Sequence, residues 1–235
     1  MDIDITEPNV LSKLNNSGLS GIINLGNTCF LNSAIQILSN VRIFTLYFLS
    51  DQYNEDINEN KKEVKFLIEY VKLIKAMWED NCVVKPVSFK RCIGHFCREF
   101  SGFNQNDSQE ALHKILDLLH ESLCYEVDIN IIRTNPHKKL TEKDKISIEA
   151  IESWRKEFNK QYSIPVNLFY GQFYSRLQCQ ECNSMSRKFD SFNVFELNIT
   201  NSCNNIYDCL EQYVLSENID GDNAVFCDKC KKKTN

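Results

Sequence analysis

Residues 21–38 read GIINLGNTCFLNSAIQIL, and more of the architecture follows from them than from any other segment. A turn rich in Gly and Asn comes directly before Cys29, and an amphipathic helix follows it. The first turn of a helix has unpaired N–H groups and a partial positive charge, which favour a thiolate. We expect Asn27 or Thr28 to cap this helix, and the amide of Asn24 to donate to an oxyanion near Cys29. The residues alone also fit a buried core cysteine.

Composition limits the class of protein. The chain has 235 residues, 43% of them hydrophobic, which suits one large domain or two small ones. Its net charge of −5 disfavours nucleic acid as a partner. No apolar stretch is long enough to span a membrane, and the acidic start does not resemble a signal peptide. We therefore expect an intracellular protein, cytoplasmic or nuclear, whose eleven cysteines are mostly reduced.

Hydrophobic periodicity predicts a mainly helical first part and a mainly β-structured part from Val166 onward. We expect the range Asp51 to Lys62 to be a loop. The predicted helices are 29–40, 63–78, one beginning with Pro86 at N1, 107–123, 146–158 and 206–215. On the second of these, one apolar stripe is predicted from Val64, Leu67, Ile68, Val71, Ile74 and Trp78. The strands are predicted from Phe169, Phe173, Tyr174 and Leu177, and from the alternating Phe195, Leu197 and Ile199.

A second motif opens the helix 107–123 with the sequence FNQNDSQEAL, residues 103–112. Asp107 followed by Glu110 has the form of a capping box. Taken alone, the motif indicates no more than a capped helix with an apolar inner face at Leu112, Ile115, Leu116, Leu119 and Leu123.

Two CxxC pairs, Cys179/Cys182 and Cys227/Cys230, are separated by the 44 residues 183–226. The two-residue spacing lets both sulfurs of a pair bind one tetrahedral ion, so four thiolates predict a closed, structural zinc site. Surface cysteines or thioredoxin-like redox pairs are the alternatives. Neither pair opens an apolar βαβ helix, which disfavours the redox interpretation.

The cysteine motif, the motif at Gln105, Asp107, Gln109 and Glu110, and the CxxC pairs resemble, in this order, those of the ubiquitin-specific proteases. These are papain-like deubiquitinating cysteine proteases. The resemblance implies an α+β, papain-like cysteine protease fold with a helical thumb, a β-rich palm and zinc-finger fingers, of which the palm is incomplete here. It implies that Cys29 is the nucleophile, and that Asp107 and Glu110 organise the site. Asn106, Ser108 and Ala111 depart from the family pattern.

The same resemblance divides the chain. We expect an N-terminal arm at 1–17 and a catalytic domain at 18–235 that is incomplete at its C-terminus. Within it, 18–125 is the helical thumb, 126–165 an insertion, and 166–235 a partial palm with the zinc fingers.

A thiol protease needs a general base, and none of the four histidines matches the histidine box of the family. His113 and His120 share a helix face, His137 lies in the insertion, and His95 is the least implausible substitute. Three explanations stay open: a portion of a longer enzyme, a protein that binds ubiquitin without cleaving it, or an unrelated histidine acting as base.

The predicted function is thiol-dependent hydrolysis of the bond after the ubiquitin C-terminal glycine, through an acyl-enzyme thioester. The predicted partners are ubiquitin or ubiquitinated proteins, with structural zinc as cofactor. The alternatives are a catalytically idle ubiquitin-binding module and a zinc scaffold unrelated to ubiquitin.

Overall fold

The computed structural model describes residues 18–132 and 139–234. The predicted arm 1–17 and His137 lie outside the described residues. Contacts divide the described chain into two compact units. The helical unit comprises residues 18–128 and 158–168, and the β-rich unit comprises residues 129–132, 139–157 and 169–234.

Six helices form most of the helical unit. They are α1 (Cys29–Ser39), α2 (Arg42–Leu49), α3 (Tyr53–Asp56), α4 (Val64–Glu79), α5 (Val87–Phe96) and α6 (Ser108–Leu123). A 3₁₀ turn, Arg98–Phe100, follows α5. Two short parallel strands, β1 (Gly21–Ile22) and β2 (Val83–Val84), pair Gly21 with Val83. In this unit the predicted helices are confirmed within one or two residues, although α2 was not predicted. Helix α3 interrupts the predicted loop 51–62, and Tyr47 Oη donates to Asp56 Oδ2, at the end of α3, over 2.6 Å.

Aromatic rings fill the core of the helical unit. The ring of Phe48 lies 4.9 Å from that of Phe44 and 5.2 Å from that of Tyr70, and all three are fully buried. Four residues of the predicted stripe on α4 are buried, namely Leu67, Val71, Ile74 and Trp78. Ile68 is 44% exposed, and Phe66 and Tyr70 are buried in addition, so the buried face extends toward these two rings. The ring of Phe66 lies 5.4 Å from that of Phe89 on α5.

The β-rich unit contains two antiparallel hairpins and two helices. Strand β3 (Gly171–Gln178) pairs with β4 (Met185–Phe192), and β5 (Val225–Cys227) pairs with β6 (Lys232–Thr234). Helix α7 (Glu142–Phe158), which begins four residues before the predicted start, lies mostly in this unit, and α9 (Ile206–Tyr213) precedes β5. Helix α8 (Ile164–Phe169), which precedes β3, lies almost entirely in the helical unit. Part of the predicted insertion therefore packs on the hairpin: Arg187 Nη1 on β4 pairs with Glu149 of α7 over 3.1 Å.

Two strand predictions are wrong. Residues 166–169 belong to α8, so β structure begins at Gly171. The alternating Phe195, Leu197 and Ile199 form no strand, because no described strand pairs with them. Alternation favours extended backbone, but a strand also needs a neighbouring chain to complete its hydrogen bonds.

Membrane-spanning character is weak in the described residues. No single helix there has both the length and the apolar content to cross a bilayer. Taken together, α1 and α2 have the length and apolar composition that a span requires, but the two helices are bent by 86° relative to each other.

Candidate active site and candidate metal centre

Helix α1 begins at Cys29, as the sequence predicts. Thr28 is the N-cap residue, but its side chain does not cap the helix N–H groups. Its hydroxyl instead accepts the Leu25 N–H over 2.9 Å and donates to Asn24 Oδ1 over 3.2 Å. The Cys29 side chain is exposed. The turn thus delivers an accessible thiol to the first turn of a helix.

The carboxamide of Asn24 is fixed by the turn that follows it. Its Oδ1 accepts the N–H groups of Gly26 and Thr28, each over 3.0 Å, as well as the Thr28 hydroxyl. If the amide were flipped, its NH₂ group would face three other donors and could not bond with them. The hydrogen bonds therefore determine which end of the amide faces outward. Nδ2 has no hydrogen-bond partner in the part of the chain that the structure describes. Asn24 therefore presents a pre-oriented donor, and its oxygen is bonded to Thr28, the residue before Cys29.

The turn itself depends on two left-handed residues. Gly26 has φ +101° and Asn27 has φ +54°. A Cβ at Gly26 would lie 3.0 Å from the ring of Phe103, and Asn27 Nδ2 donates to the Phe103 carbonyl over 2.9 Å. The segment that opens the second motif therefore packs directly on the turn before Cys29.

Two further residues hold the strand that carries Asn24, and sequence reasoning missed both. Asn32 Nδ2 donates to the Ile22 carbonyl over 3.2 Å, and Gln36 Nε2 donates to the Ser20 carbonyl over 2.8 Å. They lie three and seven residues after Cys29, and hence on the same helix face. Their signal was in the sequence: two amides at this spacing interrupt an otherwise apolar helix.

The second motif organises α6. Asp107 is its N-cap, and Oδ1 accepts the N–H groups of Gln109 over 2.6 Å and Glu110 over 3.4 Å. The Glu110 carboxylate makes no reciprocal bond among the described residues, so half of the predicted capping box forms. Helix α6 packs against α1, while the predicted inward Leu112 is only half-buried.

No histidine forms a hydrogen bond with Cys29 within residues 18–132 and 139–234. His95 is exposed near the end of α5. His113 has a buried Nε2 without a partner, and His120 Nδ1 lies 2.7 Å from Ser163 Oγ. Burial lowers the pKa of His120. The structure assigns none of these histidines to the thiol.

The four predicted metal-ligating cysteines come together in the β-rich unit. Their sulfurs all lie within 4.8 Å of one another, and this cluster can hold a metal ion. Cys179 Sγ is 3.8 Å from Cys230 Sγ, and Cys182 Sγ is 3.7 Å from Cys227 Sγ. A tetrahedral ion with Zn–S bonds of about 2.3 Å separates its sulfurs by about 3.8 Å, so the spacing fits zinc.

Both CxxC turns have the same backbone. Four residues after the first cysteine, Asn183 and Lys231 adopt φ +55° and +58°. Each donates its N–H to the carbonyl of that first cysteine, Asn183 to Cys179 over 2.9 Å and Lys231 to Cys227 over 2.7 Å. Because the two turns are equivalent, they present their sulfur pairs in the same way.

The thiols of the cluster differ in pKa. A hydrogen bond with the Ser184 hydroxyl, supported by the Cys230 N–H, lowers the pKa of Cys227 to about 6. The Cys182 sulfur and burial raise the pKa of Cys230 to about 12. Across the two turns, Lys232 Nζ pairs with Glu181 over 2.9 Å. A metal ligand must lose its proton, so the local hydrogen bonds prepare Cys227 for binding, whereas Cys230 must first release its proton.

An exposed cysteine at a helix N-terminus beside a fixed amide donor is an arrangement typical of thiol hydrolases. Comparison with known proteins agrees. The chain belongs to the ubiquitin carboxyl-terminal hydrolase family, whose model matches residues 20–207.

The curated relatives are much longer than this chain. It is 43% identical over 181 residues to human ubiquitin carboxyl-terminal hydrolase 15, a match that covers 74% of this chain and 18% of the relative. Bovine ubiquitin carboxyl-terminal hydrolase 4 is 41% identical over 181 residues, with the same coverage. The chain thus spans less than a fifth of the length of these relatives.

Solved structures show the same fold. The Ubp8 chain of a SAGA deubiquitinase module bound to monoubiquitin gives a TM-score of 0.66 at 20% identity, covering 93% of this chain and 44% of that one. The module bound to ubiquitin aldehyde gives 0.63 at 19% identity. The predicted family and mixed α+β, papain-like fold are confirmed.

Proposed function

We propose that this chain carries the nucleophile and the fingers of a deubiquitinase, with Cys29 as the nucleophile. It belongs to a family of ubiquitin hydrolases, and its structural neighbours are bound to ubiquitin or ubiquitin aldehyde. Within this proposal, 1–17 is an arm, 18–125 the thumb, 126–165 an insertion, and 166–235 a partial palm with the fingers. The partners would be ubiquitin or ubiquitinated proteins, in an intracellular setting.

The proposed reaction is acyl transfer to Cys29. The thiolate attacks the carbonyl of the ubiquitin C-terminal glycine, and the negative charge that develops on its oxygen is stabilised by Nδ2 of Asn24 and nearby backbone N–H groups. The amine leaves, and water then hydrolyses the thioester. The described residues assign no general base to this sequence of steps.

The orientation of the Asn24 amide is the observation that carries the proposal. Three donors hold its oxygen, so the NH₂ group is already turned outward before any substrate binds. A pre-oriented donor needs no reorganisation when charge appears on the carbonyl oxygen. A turn that served only to start a helix would not need this free donor.

Zinc is proposed as a structural cofactor held by Cys179, Cys182, Cys227 and Cys230. The sulfur spacing and the two equivalent turns support it. Four thiolates leave no open coordination position, so the ion would cross-link the two hairpins and take no part in the reaction.

A second candidate is a ubiquitin-binding module with an idle thiol. The observation that favours it is the lack of any hydrogen bond between Cys29 and a histidine within the described residues. In this case the wild type and Cys29→Ala would bind ubiquitin equally, and neither would cleave it.

The test uses ubiquitin with a C-terminal electrophile, followed by intact mass measurement. A single ubiquitin adduct is expected on the wild type and on Cys82→Ser, which removes another exposed thiol, but not on Cys29→Ser. Reversible binding without any adduct would support the idle module. Absence of both in zinc-loaded protein would contradict the proposal.

A test of the role of Asn24 needs a variant that preserves the turn. Asn24→Asp keeps an oxygen for the Gly26 and Thr28 donors but removes the NH₂ group. We expect its hydrolysis of a fluorogenic ubiquitin amide to fall about 10²–10³-fold in kcat, in any form of the protein that turns over this substrate. Unchanged kcat would remove Asn24 from the reaction.

A further inference from the structure

The segment 200–204 folds back along helix α9 in the β-rich unit. The N–H of Asn204 donates to Asp208 Oδ2 over 2.7 Å. One turn further on, Gln212 Nε2 donates to Ser202 Oγ over 2.7 Å. The segment is thus fastened to the first and second turns of α9.

These bonds place Cys203 beside Cys209. Cys203 lies between the two fastened residues of the segment, and Cys209 follows the helix residue to which Asn204 is bound. Thr200 Oγ1 donates to Gln212 Oε1 over 3.2 Å, so the residues around Cys203 lie along the helix face that carries Cys209. Each thiol affects the pKa of the other. Cys209 is buried, Cys203 is half-buried, and Thr200 Oγ1 lies 3.4 Å from Cys203 Sγ. Neither cysteine belongs to the proposed zinc cluster or to the proposed active site.

The surroundings give the two thiols different roles. Hydrogen bonds with Thr200 lower the pKa of Cys203, so Cys203 is the thiol that ionises more readily. The adjacent Cys203 thiol and burial raise the pKa of Cys209, which therefore retains its proton. A pair made of a partly exposed thiolate and an adjacent protonated thiol is typical of redox-responsive cysteines.

We propose that Cys203 and Cys209 are a modification site at which a hydroperoxide forms a reversible disulfide. The Cys203 sulfur attacks the hydroxyl oxygen of the peroxide, so an S–O bond forms and the O–O bond breaks, giving a sulfenic acid. The departing oxygen takes a proton from solvent and leaves as an alcohol, or as water when the oxidant is hydrogen peroxide. The Cys209 sulfur then attacks the sulfenic sulfur, forming the S–S bond, and the departing hydroxide takes the Cys209 proton. Two thiols lose two electrons in total, and the peroxide is reduced.

Peptide mapping of the zinc-loaded full chain tests this proposal. Asp208 lies between the two cysteines, so cleavage before Asp separates peptide 190–207, which contains Cys203, from peptide 208–219, which contains Cys209. Each peptide has only that cysteine. After hydrogen peroxide treatment and alkylation, we expect the two peptides to stay linked, and a reductant to separate them.

Three variants sharpen the result. Cys203→Ser and Cys209→Ser abolish the linked pair, and Cys209→Ser accumulates a sulfenic acid at Cys203 that a dimedone probe traps. Cys92→Ser, which removes a half-buried thiol of the helical unit, leaves the link unchanged. Wild-type protein that shows no linked pair when other free thiols are already oxidised would overturn the proposal. So would a link from Cys203 to any cysteine except Cys209.

Discussion

The helical unit and the β-rich unit differ in what stabilises each of them. In the helical unit, fully buried aromatic and aliphatic side chains from α1, α2, α4 and α6 form a continuous core. In the described part of the β-rich unit, the only buried side chains are those of Cys179, Cys209 and Cys227. Two of these three belong to the candidate zinc cluster.

The comparison teaches that one chain can use two sources of stability. Burying a Phe or Leu side chain contributes about 1.5–3 kcal/mol, and the helical unit has many of them. The β-rich unit instead exposes large apolar side chains, such as Ile199 and Phe226, and relies on hairpin hydrogen bonds, ion pairs and sulfur ligands. We therefore expect the two units to respond differently to the same perturbation.

Removal of the metal should have the largest effect, confined to the β-rich unit. Binding of structural zinc contributes about 10–16 kcal/mol in small zinc domains, far more than the exposed hairpins can replace. We expect a chelator, or Cys182→Ala, to abolish hydrogen-exchange protection in β3 and β4 while α4 keeps its protection. The measurement is amide exchange followed by mass spectrometry.

Cys92→Ala is the matched control, since it removes a half-buried thiol from the helical unit. It should leave both the zinc content and the protection of β3 unchanged. Hairpins that remain protected in metal-free protein would show that the β-rich unit has a source of stability besides the metal.

The converse change is a cavity in the helical core. The ring of Phe48 is fully buried and contacts the rings of Phe44, Tyr47 and Tyr70. We expect Phe48→Ala to lower the free energy of unfolding of the helical unit by about 3–5 kcal/mol. Urea denaturation followed by helical circular dichroism measures this loss. Zinc content should not change, and a loss of zinc would couple the units.

The sequence predicted the helical unit better than the β-rich unit, and the reason is physical. Helices satisfy their own backbone hydrogen bonds, so the local pattern around Cys29 or Asp107 is enough to place them. Strands need partners, so the alternation at Phe195 and Ile199 could not show that no described strand pairs there.

The candidate sites also have a part that the local sequence predicts and a part that only the folded structure shows. Local spacing predicted the four cysteine ligands and the position of Cys29 at a helix start. It could not show that the Asn24 oxygen is held by three donors, or that Asn32 and Gln36 fasten the strand before it, because these contacts depend on the folded turn. The orientation of the amide became visible only in the structure.

Helix caps allow a matched change in both units. Asp107 caps α6 and Asn205 caps α9, and each side chain accepts two backbone N–H groups. Loss of such a cap typically costs about 1 kcal/mol. We expect Asp107→Ala to lower the cooperative unfolding free energy of the helical unit by about this amount, measured in urea. Asn205→Ala should instead increase only local exchange in α9, and a global loss of stability would contradict the contrast between the units.

The smallest effect concerns pH and the helical unit alone. Burial lowers the pKa of His120, although the nearby Glu121 and Asp117 oppose this shift, and Nδ1 is bonded to Ser163. An unfolded histidine titrates at about pH 6.5, so above this value both states are neutral and His120 adds no pH dependence. Below it the unfolded chain binds a proton first, so stability decreases as pH falls, until the folded-state pKa is passed.

His120→Asn keeps an amide near the Nδ1 position but does not titrate. We therefore expect its midpoint of urea unfolding to decline less than that of the wild type between pH 7.5 and pH 5, a range set by the histidine pKa of about 6.5. Zinc ligands also titrate in this range, so the comparison is made on the helical signal at constant metal occupancy. Equal declines in the two proteins would mean that the imidazole of His120 is solvated in the folded state. His120 would then lie outside the buried core of the helical unit despite its contact with Ser163.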